Sequence, residues 1–189
     1  MNGKNNPLSI NPNGDMPQVD PTAFIDPAAR VIGNVRIGAN VYVGPYAVIR
    51  ADETGADGKT SPIIIEAESN VQDGVIIHAL GGTEVRIGKR TSLAHGCVVH
   101  GPCAIGDKCF VGFKAVVYNS TLADGTFIST SATIQYSNLA ENSLVAPAKA
   151  ILSEQDASDY AEKTSDKETE FMQKVITANL KLVKGYSSS

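Results

Sequence analysis

The chain has 189 residues, and 16 Lys and Arg against 20 Asp and Glu leave a formal net charge of −4. That is the length of one domain with its own core, with no basic run for nucleic acid and no apolar stretch long enough to span a membrane. Trp is absent and aromatics make up 6% of the chain, while Val, Ile, Gly and Ala abound, which suits a regular β core.

The first twenty residues, rich in Asn, Pro and Gly, read as an N-terminal arm (1–20). They hold no apolar signal-peptide core, so the expected location is the cytoplasm. A six-residue repeat follows. Val31, Ile37, Val43 and Ile49 form its first run, and Ile65, Val71 and Ile77 its second. Ile87, Leu93, Val99, Ile105, Val111 and Val117 form a third run, which Leu122, Ile128 and Ile134 continue after a slip of one residue. Four places after the aliphatic comes a small residue, as at Val35, Val41, Ala47, Thr91, Cys97, Cys103, Cys109, Ala115 and Thr121. Glycine often follows the aliphatic directly (Gly38, Gly44, Gly88, Gly106, Gly112), which suits tight corners. An α-helix cannot keep every sixth residue on one face, whereas short strands joined by corners can.

This pattern resembles the hexapeptide repeat of left-handed parallel β-helices, in which three hexapeptides close one triangular coil. The left hand is what the resemblance implies, since the ordinary crossover rule favours the right hand. The fold class is therefore mainly β, a left-handed parallel β-helix over 21–152. Thr54–Pro62 and Ala79–Glu84 interrupt the period and read as loops expelled from corners. The repeat stops near Leu152, and 153–189 reads as a C-terminal segment packing on the β-helix. There Ser165 and Glu168 have capping-box spacing. Phe171, Val175, Ala178 and Leu182 follow at helical spacing, predicting a helix from about Asp166 to Lys184 with Gly185 as its stop.

The three histidines of the chain all lie within the repeat. His78 follows Ile77 and His100 follows Val99, so both hold the same place in their hexapeptides. They are 22 residues apart, one coil plus the Ala79–Glu84 excursion. Their imidazoles should stack on one corner, on adjacent coils about 4.8 Å apart. His95 stands two residues after Leu93 and belongs near another corner. Three neutral imidazoles with one open position form the ligand set of a catalytic zinc. His95 can join the other two only if a second copy supplies it, and a cyclic trimer does so at each of its interfaces. Cys97, Cys103 and Cys109, odd in number and evenly spaced, fit no zinc-ribbon or disulfide pattern. They read as small buried hydrophobes.

The segments PTAFIDPAARVIGNVRIG, IRADE, SNVQDGVIIHAL and SLAHGCVVHGP resemble γ-class carbonic anhydrases from roughly Pro21 to Tyr186. The resemblance implies a homotrimer that converts CO2 to bicarbonate at a metal held by His78 and His100 of one subunit and His95 of its neighbour. The metal is Zn2+ by default, with Fe2+ or Co2+ equally suited to imidazoles. It further implies that Gln72 hydrogen-bonds the water at the metal or bicarbonate, that Asn70 orients CO2 and that Glu53 handles protons. Arg50 and Asp73 become an intersubunit ion pair, and Asn179 approaches the site from the C-terminal helix. One departure stands out. The family's best-studied branch carries a proton-shuttling glutamate three residues after the first histidine, where this chain has Gly81 in a short loop. Glu84 follows but reads as a solvated loop carboxylate. Two other readings of the repeat are a hexapeptide acyltransferase, with one histidine as base and no metal, and a non-catalytic metal-binding scaffold.

Overall fold

A computed structural model describes residues 6–187. Short parallel strands stack into a triangular β-helix, and the repeat aliphatics run down the inside of its three faces. On the first face Val31 pairs with Ile49, then Ile77, Val99, Val117, Ile134 and Ile151. The second face carries Val19, Ile37, Ile65, Ile87, Ile105, Leu122 and Leu139 in register. The third carries Ile25, Val43, Val71, Leu93, Val111, Ile128 and Val145. Nearly all of these are fully buried, and each such side chain removed from water contributes about 1.5–3 kcal/mol. Strands Val98–Ile105 and Val116–Leu122 run unbroken round the corner between the first two faces.

The glycines after the aliphatics do something other than what the sequence suggests. Gly38, Gly44, Gly88, Gly106 and Gly112 all keep ordinary φ, and the left-handed residues come two places later, at Asn40, Tyr46, Arg90, Lys108 and Lys114. Glycine is needed instead because the next coil is too close: a Cβ at Gly112 would lie 2.6 Å from the Ile128 carbonyl oxygen. The small-residue column also departs from expectation at one place. Thr121 is exposed, and Ser120, 6% exposed, faces inward opposite Cys103. The one-residue slip falls at that corner, before Thr121.

The ends of the prism are closed by polar and helical elements. Leu8–Ser9 and Gln18–Val19, within the segment expected as an arm, pair with the first two faces. Between them buried Asn11 donates to the Ala51 carbonyl (3.2 Å) and Thr60 Oγ (3.3 Å), tying this segment to the Thr54–Pro62 loop. Residues 1–5 of that arm lie outside the described residues. At the other end α1 (Glu154–Tyr160), capped by Ser153 Oγ, buries Ala157 against the last coil.

Helix α2 spans Asp166–Ser187. Glu168 accepts the Ser165 backbone N–H at 2.9 Å, the expected capping contact. Two features differ from the sequence reading. The helix runs through Gly185, and Tyr186 stacks on Phe24 at 4.4 Å, holding a turn that Gly alone would weaken. The buried stripe is Met172, Ile176, Asn179 and Val183, one residue round from the one expected, while Phe171 and Leu182 are 40% and 42% exposed. An apolar count rejects the true stripe because it contains an asparagine.

Candidate active site

The sequence-predicted site residues fall into two groups on two different corners of one chain. His78 and His100 occupy the corner where the first face turns into the second. They are in register with Arg50 above and Tyr118 below. Their rings lie 4.8 Å apart, with His78 Nδ1 3.0 Å from His100 Nε2. His100 Nδ1 sits 3.1 Å from the Gly101 carbonyl, so this nitrogen carries the proton and Nε2 is left with its lone pair. Burial, aided by the Arg50 guanidinium, holds His78 below the usual imidazole range and favours its neutral form. Neutral imidazoles with free lone pairs are what a divalent transition metal requires.

Carboxylates crowd the same corner. Glu53 Oε1 is 3.3 Å from His78 Nε2, and Asp52 Oδ1 is 3.9 Å from it. Arg50 lies between them, 3.3 Å from Asp52, 3.9 Å from Glu53 and 3.0 Å from His78 Nε2, to which it donates. Asp52 Oδ1 is buried and accepts no hydrogen bond. Asp52 was missed by sequence reasoning. Its signal was the alternation in IRADE, which points Arg50 and Asp52 the same way along the chain.

Glu53 is held in turn by the short loop after His78. Gly81 N–H donates to Glu53 Oε2 at 3.2 Å, and a Cβ on Gly81 would lie 2.5 Å from the Thr54 carbonyl oxygen. No side chain fits there, so the loop cannot carry the glutamate of the better-studied branch. Gly81→Glu is expected to lower stability by roughly 1–3 kcal/mol. The shift of the urea midpoint measures it, and a variant as stable as the parent would show that the loop opens freely. Glu84 faces away, 49% exposed and 4.0 Å from Arg86.

The second group occupies the third face and the corner that follows it. Asn70 pairs in register with Ser92, and Gln72 lies just past Val71. Asn70 Nδ2 donates to Ser92 Oγ (2.8 Å), and Gln72 Nε2 donates to Asn70 Oδ1 (3.0 Å). All three are buried on the face against which α2 packs, and Asn179 of that helix is buried as well. Asn179 Nδ2 donates to the Val175 carbonyl of its own helix. His95 stands at the corner, 55% exposed, with Nδ1 3.4 Å from Asp73 and its ring stacked on Phe113 at 5.7 Å. Arg50 and Asp73 thus belong to different groups, each with partners of its own. Among the described residues no three His, Cys, Asp or Glu side chains gather within one chain as a metal cluster.

The three cysteines line the interior. Burial pushes the Cys109 thiol up to about 12 and Cys97 further still, so both remain protonated and unsuited to metal.

Comparisons with known proteins bear on this geometry. A family model described as bacterial transferase hexapeptide (six repeats) matches residues 17–51. A carbonic anhydrase of Methanosarcina thermophila is 35% identical over 209 aligned positions, covering 100% of this chain and 82% of that protein. The carboxysome assembly protein CcmM of Nostoc sp. is 33% identical over 89% of this chain, which spans 31% of that longer protein. A crystal structure of a hexapeptide transferase family protein from Anaplasma phagocytophilum superposes with a TM-score of 0.70 at 25% identity. That match covers 95% of this chain and 97% of the other.

Proposed function

Because the chain belongs to the γ-class carbonic anhydrase family, we propose that it catalyses CO2 + H2O ⇌ HCO3− + H+ at a metal site that two copies build together. The observation that carries this reading is the His78–His100 pair, in register on adjacent coils with His78 Nδ1 3.0 Å from His100 Nε2. His78 and His100 of one subunit and His95 of the next would hold the ion, Zn2+ by default, with Fe2+ or Co2+ fitting the same donors. A divalent ion held there supplies Lewis acidity that lowers the pKa of water to about 7, an effect for which carbonic anhydrase is the standard example.

The chain's own residues do the rest. Gln72, anchored on Asn70, offers its remaining amide atom to the attacking water and then to bicarbonate. Asn70 fixes the side on which CO2 lies, and Asn179 closes that half from the helix. Glu53, 43% exposed and beside His78, takes the released proton to solvent. Arg50 meets Asp73 of the neighbouring subunit and locks the two halves together. The proposed assembly is a homotrimer, the closed ring in which each interface unites one half of each kind. The exposed second stripe of α2, with Phe171 and Leu182, supports contact with another copy. One edge of Phe171 rests on Phe110 and Phe127, at ring distances of 5.2 and 6.1 Å, and the outer edge is left open.

Exchange of 18O between CO2 and water, followed by mass spectrometry on protein of measured metal content, tests the reading. Exchange proportional to bound metal is expected. The similarity to CcmM supports a second reading, a metal-binding assembly protein, which predicts full metal content with no exchange. Acetyl transfer from coenzyme A by metal-free protein would instead favour the acyltransferase. The cysteine column gives a control: Cys103→Ala should keep its metal and its exchange rate and lose about 1 kcal/mol of stability. Loss of metal from the folded variant would make Cys103 a ligand after all.

A further inference from the structure

The site geometry leaves one buried polar side chain without a task. Ser92 is 1% exposed, and its Oγ accepts from Asn70 Nδ2 at 2.8 Å. Asn70, also 1% exposed, accepts from Gln72 Nε2 at 3.0 Å. The three form a single chain of hydrogen bonds that starts at Ser92 and ends at the free amide oxygen of Gln72. Asn70 and Ser92 are fixed laterally by the strand register, and α2 covers this face. Gln72 has a long side chain with three rotatable bonds, so it needs such an anchor to hold one orientation.

We infer that Ser92 is a positioning residue whose hydroxyl, acting through Asn70, holds the Gln72 amide in its working orientation. The inference rests on the proposed hydration site, in which Gln72 touches the reacting molecules and Ser92 does not. Without the hydroxyl, the buried Asn70 amide loses its partner. A buried unpaired donor is costly, so Asn70 turns to find another acceptor and releases Gln72. An amide oxygen and amide nitrogen differ little in shape, and only the hydrogen-bond chain distinguishes them. Ser92 therefore controls the place of the Gln72 amide.

The test compares Ser92→Ala and Ser92→Thr with the parent protein, each as the assembled, metal-loaded oligomer. Ser92→Ala should keep its metal and lose about tenfold in kcat/KM, the effect of one misplaced hydrogen bond. Ser92→Thr keeps the hydroxyl on a residue that suits a strand and should restore most of the loss. In a Gln72→Ala background, Ser92→Ala should cost much less in kcat/KM than it does in the parent, an outcome that a merely structural role would not give. A second readout needs no turnover. The side-chain NH2 signals of Gln72 in 15N-correlated NMR spectra should broaden or shift in Ser92→Ala, with faster exchange of their protons with water. Unmoved Gln72 signals with kcat/KM within about twofold of the parent would overturn the inference. If the parent protein shows no hydration, the proposed function fails by itself, and the Gln72 signals alone still decide the role of Ser92.

Discussion

Mixing His78→Ala chains with His95→Ala chains is expected to restore metal binding that neither variant possesses alone. Each variant on its own removes one imidazole from every site and should weaken metal affinity by more than the roughly 10–100-fold typical of changes one step removed from the metal. In a mixed ring the two defects fall on different subunits. A His95→Ala chain still presents His78 and His100, and its neighbour carrying His78→Ala still presents His95. Around a closed ring of three, every mixture leaves roughly one site in three intact. The premise is the separation of the two groups: His78 and His100 stand on the corner after the first face, His95 on the corner after the third. Metal content of co-expressed, size-fractionated oligomers measures the recovery. Mixed rings that stay assembled but bind no metal would exclude a shared site.

Glu53→Ala is expected to lower kcat by about 10–100-fold in dilute buffer while leaving kcat/KM within about threefold. In the proposed reaction, attack on CO2 would use Gln72 and Asn70, which this substitution leaves alone. Removing the released proton needs a group that reaches both the site and solvent. Glu53 meets both conditions, 3.3 Å from His78 Nε2 with its side chain 43% exposed. Gly81 cannot replace it, because the loop has no room for a side chain. Raising the imidazole concentration should speed the parent protein and rescue most of the variant. Stopped-flow hydration rates against buffer concentration give the answer. An equal fall in kcat and kcat/KM would place Glu53 in the CO2 step itself.

The fold and the first half of the site were legible because the repeat converts sequence distance into spatial neighbourhood. His78 and His100 could be paired from their common place after an aliphatic, once the loop after His78 was recognised as an expelled corner. The same rule could have found Ser92, which precedes Leu93 just as Asn70 precedes Val71. It passed unnoticed because a lone serine carries no chemical signal of its own. Where local chemistry decides, the pattern misled. The slip at Ser120 moved one inward position by a residue. The glycines answered to the crowding of the next coil and not to their own φ. On α2, Asn179 marks the buried stripe, yet an apolar count chooses Phe171 and Leu182 instead. The two-residue strands Leu8–Ser9 and Gln18–Val19 are too short for any periodicity to reveal.

Anomalous X-ray scattering at the absorption edge of the bound metal tests the central claim most directly. The account predicts a peak at the boundary between two subunits, within bonding distance of His78 and His100 of one protomer and His95 of the next. A metal bound wholly within one chain, or at a place remote from these three side chains, would contradict it.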